Sequence, residues 1–320
     1  MNTAVSFRPS TASLLECLQP AIDGHFGASI AAITRTPSRY STSFDIEDLG
    51  LTLSDGSSIV VVFKNLSPDA MLEEARRTRP ELIYDPLREI EVYRSLLAPA
   101  DLGTARLFGT EADAAEQRFW LFIEKVDGVE LYQVESLEVW KGASRWLRHM
   151  HHRLAPDRHR ISSLIRCDAA WYRAWMRRAV DFASGRSYSG LEQLASIHEK
   201  VVEHLCEMPE TVIHGDLYAS NVLVDQSEDG LRVCPVDWER ASVGPGLIDL
   251  ATLSMGWDED AVSQLARAYT GSDSDLISLA FCRLQLCIQW LGWSPAWRPP
   301  PEHRRDWLND ALALADELGL

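Results

Sequence analysis

Hydrophobic positions alternate or run in short blocks over the first 125 residues, and recur at helical spacing after that. Ile30–Thr34, Phe44–Leu53 and Ile59–Lys64 have the alternating or continuous apolar pattern of strands. Ser54-Asp55-Gly56-Ser57 has the composition of a hairpin turn between the last two. A helical stretch follows at Pro86–Ala98, then strand-like pieces at Ala105–Gly109 and Phe119–Glu124. From Leu137 the chain reads as amphipathic helices, such as Leu137–Leu154 and Ala169–Phe182. One β interruption, Val222–Asp225 and Val233–Asp237, flanks the polar turn Ser227-Glu228-Asp229-Gly230, and helices fill the chain to Leu320. The pattern predicts an α+β protein with a small antiparallel, β-rich lobe over residues 1–124. A joint at 125–128 and a larger, mainly helical lobe over 129–320 complete it.

Composition narrows the function classes. With 46% hydrophobic and 24% charged residues among 320, the chain can bury a large core and is not a disordered polymer. A formal charge of −16 argues against nucleic acid or an anionic membrane as the main partner, and no apolar run reaches membrane-span length. The N-terminus lacks the basic-then-apolar order of a signal peptide, and six cysteines show no CxxC spacing. The expectation is a cytoplasmic protein, monomer or homodimer, with buried free thiols. Charge is unevenly spread: residues 125–205 carry 13 basic and 10 acidic side chains, whereas residues 206–320 carry 7 and 19.

The densest chemistry lies in Val212-Ile213-His214-Gly215-Asp216-Leu217-Tyr218-Ala219-Ser220-Asn221-Val222-Leu223-Val224, followed by Val233-Cys234-Pro235-Val236-Asp237-Trp238-Glu239. Apolar strands bracket a tight polar loop, which delivers Asp216, Asn221 and Asp237 to one end of a small hairpin. Phosphoryl transfer needs such a group: a carboxylate to take or orient the acceptor hydroxyl proton, and hard oxygen ligands for magnesium. Asp-x4-Asn followed by a strand-borne Asp has the spacing of a kinase catalytic loop and its metal-binding Asp.

These residues resemble the aminoglycoside phosphotransferase and choline kinase-like family, which has the two-lobed protein-kinase-like fold; the likeness spans roughly Ile30 to Met255. The resemblance implies Asp216 as catalytic base, Asn221 and Asp237 as magnesium ligands, and His214 as a brace for the loop. Asp249, in Gly246-Leu247-Ile248-Asp249-Leu250-Ala251, is implied to tie its helix to that loop. ATP and Mg²⁺ are the implied cofactors. Upstream, Lys64 ends an apolar strand, where a cation needs an anion such as the ATP phosphates. On the helix Pro86–Ala98, Glu89 shares the apolar face of Val92, Tyr93 and Leu96, so Glu89 rather than Glu91 is the expected partner of Lys64. Phe122–Gly128 resembles the family's hinge, with backbone C=O of Glu124 and N–H of Val126 to the adenine edge. Ser38, Ser41 and Thr42, in the segment Arg35–Thr42, are the candidates for covering phosphates, the alternative being an ordinary hairpin turn.

Departures from protein kinases point to a small-molecule acceptor. Gly215 stands where protein kinases carry the Arg of HRD, Trp238-Glu239 replaces Phe-Gly, and no APE-like segment follows. A helical insert at about 161–205 precedes the catalytic loop, where the family shapes its acceptor pocket. Glu239 and Asp258-Glu259-Asp260 suit a cationic acceptor such as an aminoglycoside. Trp171, Trp175 and Arg178 recur at helical spacing in the insert and suit a sugar ring or an anion, unless that stripe faces the core. Arg173 and Arg177 would repel a polycation. Trp290, Trp293, Trp297 and Trp307, with Pro299-Pro300-Pro301, read as a staple for the last helix. A sugar-like or antibiotic hydroxyl acceptor is the favoured reading, and an aminoglycoside O-phosphotransferase the main rival. A catalytically silent nucleotide-binding protein of the same fold is the alternative from another class.

Overall fold

The structure, a computed structural model, describes residues 8–183, 189–227, 230–272, 275–298 and 304–320. Glu228 and Asp229 of the expected hairpin turn, and Pro299-Pro300-Pro301, lie outside the described residues. The chain separates into two units, Met1–Arg77 with Asp85–Asp127, and Thr78–Tyr84 with Gly128–Leu320.

The first unit opens with helix α1 (Thr11–Phe26). Ser10 caps it by accepting from Ser13 N–H, and Gly27 ends it in the left-handed conformation. No sequence signal above predicts this helix, because Pro20 inside it and Gly24 near its end interrupt the pattern. It forms because Leu14, Leu18 and Ile22 make a fully buried stripe. Three such side chains contribute about 1.5–3 kcal/mol each, against about 3 kcal/mol for an interior proline.

Strands β1 (Ile30–Pro37), β2 (Ile46–Leu53) and β3 (Ser58–Asn65) form a meander. Helices α2 (Glu73–Thr78) and α3 (Arg88–Val92) follow, then β4 (Leu107–Asp113) and β5 (Arg118–Glu124). The sheet is antiparallel throughout, in the order β1-β2-β3-β5-β4. Alternation along β2 puts Leu49, Leu51 and Leu53 on the face that packs with the α1 stripe, Val61, Phe63, Trp120 and Phe122. Phe44 lies outside β2, in an isolated bridge to Met71, so that strand begins at Ile46. The expected helix at 86–98 is α3 continued by a π-helical turn, Tyr93–Leu97, closed by Ala98 N–H to Tyr93 C=O at 3.0 Å.

The second unit begins with β6 (Val129–Glu130), α4 (Leu137–Leu154), β7 (Ile165–Arg166), α5 (Ala169–Phe182) and α6 (Ser189–Glu207). Strands β8 (Glu210–Ile213), β9 (Val222–Ser227), β10 (Gly230–Pro235) and β11 (Ser242–Pro245) come next. Helices α7 (Leu247–Leu253), α8 (Glu259–Thr270), α9 (Leu276–Leu291) and α10 (Trp307–Glu317) end it. Two three-stranded sheets, β10-β9-β6 and β7-β11-β8, sit among these helices. The bounds of α4 and α5 are those the apolar periodicity predicts.

The insert is α5 and α6, joined by the Arg173–Glu199 ion pair. On α5 the aromatic stripe faces inward: Trp175 is fully buried and stacks on Trp293 with ring planes 4° apart. Among the described residues no helix is long and apolar enough to cross a membrane. All six cysteines are free; Cys167, Cys234, Cys282 and Cys287 are buried, Cys17 is half-buried, and Cys206 is exposed, contrary to the expectation of buried thiols.

Candidate active site

The geometry of the second unit centres on a carboxylate that is fully buried, Asp249 on α7. It accepts from His214 N–H at 2.7 Å, Gly215 N–H at 2.9 Å and His151 Nε2 of α4 at 3.0 Å. A buried carboxylate needs this many donors to offset its lost hydration. The result fixes the chain where β8 ends and the polar loop begins. His214 is buried, and burial lowers its pKa below the usual imidazole range, so the ring is neutral. Its Nε2 donates to Val236 C=O at 2.9 Å, and its Nδ1 accepts from Asp216 N–H at 3.3 Å. His214 thereby links the loop to the end of β10.

Gly215 has no substitute at its position. Its φ is +77°, and a Cβ there would lie 2.2 Å from Arg240 C=O. That tight approach is what brings Arg240 against the loop. Arg240 Nη1 donates to Asp216 Oδ1 at 2.5 Å, with 6% and 19% of the two side chains exposed. The Arg240 guanidinium lies 4.9 Å from the Trp293 ring centroid. Burial pushes the Asp216 pKa above the usual carboxylate range; the Arg240 guanidinium pulls it down, and Asp237 adds to the push.

Asn221 sits in a short turn before β9. Its Nδ2 donates to Asp216 C=O at 2.9 Å, which leaves Oδ1 as its remaining oxygen donor, and its own C=O accepts from Val236 N–H at 2.9 Å. Pairing of Val222 with Pro235 across β9 and β10 therefore puts Asn221 and Asp237 at the same hairpin end. Asp237 is held at φ 69°, ψ 60°, a left-handed conformation that non-glycine residues adopt at a cost, as residues at functional sites often do. Two hard oxygen donors beside a carboxylate fit a magnesium ion better than a softer metal.

In the first unit, Lys64 and Glu89 meet. Lys64 Nζ lies 2.7 Å from each Glu89 oxygen, and both side chains are buried. Glu91 is half-buried and does not take this place. At the end of β5, Lys125 N–H donates to Val60 C=O at 3.4 Å, whereas Val126 N–H makes no hydrogen bond among the described residues. Glu124 uses its side chain locally, accepting from Arg106 N–H at 3.0 Å.

The structure gives several of the expected ligand residues partners within the protein. Ser38 and Ser41 hold the β1–β2 loop shut: Ser38 Oγ accepts from Tyr40 N–H at 3.3 Å, and Ser41 Oγ accepts from Ile46 N–H at 3.1 Å. Thr42 is exposed and does not share that role. Trp175 is a core residue and offers no surface to an acceptor; Trp171 is half-buried and packs edge-on against it. Arg178 closes the end of α9, donating through Nε and Nη2 to Gly292 and Trp293 C=O at 2.8 Å each. Glu239 is neutralised by Arg79, whose Nη2 lies 2.7 and 2.8 Å from its two oxygens. Asp258 caps α8, accepting from Ala261 N–H at 2.9 Å. Trp290 stacks on Trp307 of α10, as the staple reading expects, and also donates to Tyr218 Oη of the polar loop at 2.5 Å.

Arg240, Arg79 and His151 contact the candidate site residues, and sequence reasoning does not find them. Arg240 follows Glu239 directly, and a lone arginine among the apolar residues leading into β11 is the one available signal. The partners of Arg79 and His151 lie far along the chain, with no local pattern.

This arrangement is that of a protein-kinase-like fold, an antiparallel sheet in the N-terminal part and a mainly helical C-terminal part. The sequence model of the phosphotransferase enzyme family, APH, matches residues 65–282, and the chain belongs to that family. Solved structures agree. Aminoglycoside phosphotransferase APH(3'')-Id from Streptomyces rimosus, in complex with ADP and streptomycin, has 18% identity and a TM-score of 0.51, covering 80% of this chain and 92% of its own. Spectinomycin phosphotransferase APH(9)-Ia, in complex with ADP and spectinomycin, has 13% identity and a TM-score of 0.57, covering 98% and 99%. Choline kinase LicA from Streptococcus pneumoniae has 13% identity and a TM-score of 0.57, covering 97% and 99%. No curated protein sequence matches the chain.

Proposed function

We propose that the protein is a small-molecule kinase that transfers the γ-phosphate of ATP to an alcohol group of a sugar-like metabolite or antibiotic. The observation that carries this reading is the convergence of Asp216, Asn221 and Asp237 at one end of the β9–β10 hairpin, on a loop anchored by Asp249. Asp216 takes the proton of the acceptor hydroxyl. The acceptor oxygen then bonds to the γ-phosphorus as the bond to the bridging β–γ oxygen breaks, and ADP leaves. Arg240 keeps Asp216 ionised and oriented for that role. Asp237 and Asn221 Oδ1 would hold magnesium, which supplies positive charge to the phosphate oxygens when bound.

Lys64, fixed by Glu89, would meet the α- and β-phosphates, and Glu124 C=O with Val126 N–H would pair with the adenine edge. The relatives with ADP bound support a nucleotide donor. An aminoglycoside acceptor has support from the same relatives, but here Glu239 is already paired with Arg79 and Asp258 is a helix cap. The test is a screen of hydroxylated metabolites and antibiotics for Mg·ATP-dependent phosphate transfer. Turnover abolished in Asp216→Asn supports the proposal; turnover indifferent to that change removes Asp216 as the base.

A further inference from the structure

Behind the polar loop, wholly within the second unit, lies a cavity of about 30 Å³. Gly215, Arg240, Tyr172, Gln285 and Gln289 are among its walls. Gly215 precedes Asp216 in the chain and Arg240 bonds its carboxylate, so two of the cavity's walls adjoin Asp216. Among the described residues the walls contain no Asp, Glu, Lys or His, and their single ion is Arg240, whose charge is turned to Asp216.

Among the described residues, two polar atoms in these walls have no hydrogen-bond partner, although both residues are more than nine-tenths buried: Tyr172 Oη and Gln285 Nε2. His198 is kept neutral by burial, and its Nε2 lies 3.0 Å from Gln285 Oε1; with the ring proton on Nε2, that N–H donates to the oxygen and leaves both N–H groups of the amide unmatched. Burial holds the Tyr172 phenol protonated, so it stays a neutral donor and acceptor. Buried polar groups in native proteins are rarely left in this state, and an unmatched group deserves a partner. A volume of 30 Å³ admits about two waters, or one hydroxyl-bearing carbon arm of a larger molecule.

The geometry points to this cavity as the inner acceptor subsite, taking an uncharged, hydroxyl-bearing arm through Gln285 Nε2 and Tyr172 Oη. The inference rests on the phosphotransferase reading and gives its acceptor a chemical class. An ammonium group would meet Arg240 and find no carboxylate to offset its lost hydration. A hydroxyl would satisfy both orphaned groups, with the apolar walls Ile213, Ile248 and Leu286 covering its carbon.

The experiment compares acceptors and variants in the full chain with ATP as donor. Glucose, ribitol and myo-inositol serve as uncharged probes, kanamycin and streptomycin as cationic ones. ADP release and phosphate transfer are both read. Uncharged probes should be phosphorylated in preference to cationic ones. Gln285→Leu and the near-isosteric Tyr172→Phe should each raise the KM of the best uncharged acceptor about tenfold relative to the KM for ATP, the effect of one lost hydrogen bond. Gln285→Glu should shift preference toward the cationic probes. A preference of the unaltered protein for kanamycin or streptomycin overturns the inference. So does an acceptor KM that does not move in a folded Tyr172→Phe protein, which would mean that the cavity holds water only. If ADP release depends on Asp216 but no uncharged probe is phosphorylated, the subsite falls while the phosphotransferase reading stands. Absence of Asp216-dependent ADP release removes both.

Discussion

Replacing Arg240 by methionine should do two separable things. Arg240 is almost entirely buried and its partner Asp216 retains some water access, with 6% and 19% of the side chains exposed. Removing one member of a buried pair typically costs roughly 3–5 kcal/mol, because the other charge is left uncompensated. Water at Asp216 places the expected loss at the lower end, about 3 kcal/mol. At about 2–4 °C per kcal/mol for a unit of this size, melting should fall by about 6–12 °C.

The second effect is on protonation. Burial already raises the Asp216 pKa above its value in an unfolded chain, and Arg240 is the strongest influence opposing that rise. Without Arg240 the pKa rises further. As the proposed base, Asp216 would act only when ionised, so the acid limb of the kcat profile should move to higher pH. A raised folded pKa also means that stability tied to this group is present at low pH and lost as pH climbs through that value. The Arg240→Met deficit should therefore be largest at neutral and alkaline pH and shrink on acidification, and Arg240→Lys should restore part of both effects. Thermal melts and pH–rate profiles of the three proteins decide it. An acid limb that stays in place, or moves to lower pH, would refute the reasoning even if the variant is less stable.

Glu89→Gln should strand Lys64 in the first unit, costing roughly 3–5 kcal/mol in a denaturant titration and raising the KM for ATP. Asp237→Ala should weaken Mg·ATP binding more than metal-free ATP binding; calorimetric titration with unchanged metal dependence would rule out ligation by Asp237. Gly215→Ala should destabilise the fold by at least about 1 kcal/mol, since its Cβ meets Arg240 C=O at 2.2 Å and its φ is +77°. The same change should lower kcat by displacing Arg240 from Asp216, which an unaltered turnover would contradict.

What the sequence made legible was what its local patterns encode. The polar loop and hairpin are contiguous, so the convergence of Asp216, Asn221 and Asp237 follows from strand pairing over a short span. Glu89 could be separated from Glu91 because the apolar face of a short helix is visible in its spacing, even though its second half is a π turn. The α5 stripe shows the limit of the same method: spacing puts Trp171 and Trp175 on one face without saying whether that face meets solvent or core. Pairings across long separations, Arg79 with Glu239 and His151 with Asp249, left no local trace. The first of these changed the acceptor argument, because a glutamate that looked available for a cation already has its arginine. Helix α1 was hidden because Pro20 masks a stripe whose burial outweighs it.

The proposed reaction is transfer of the γ-phosphate to an acceptor hydroxyl with Asp216 as base. Phosphorus NMR of the protein with Mg·ATP and its best acceptor follows that transfer directly. The γ-phosphate resonance should be replaced by a phosphomonoester of the acceptor, with ADP appearing in equal amount. In Asp216→Asn the same conversion should slow by roughly 10²–10⁴ with nucleotide affinity little changed. Release of the γ-phosphate as inorganic phosphate alone, or conversion at an undiminished rate in Asp216→Asn, would contradict it.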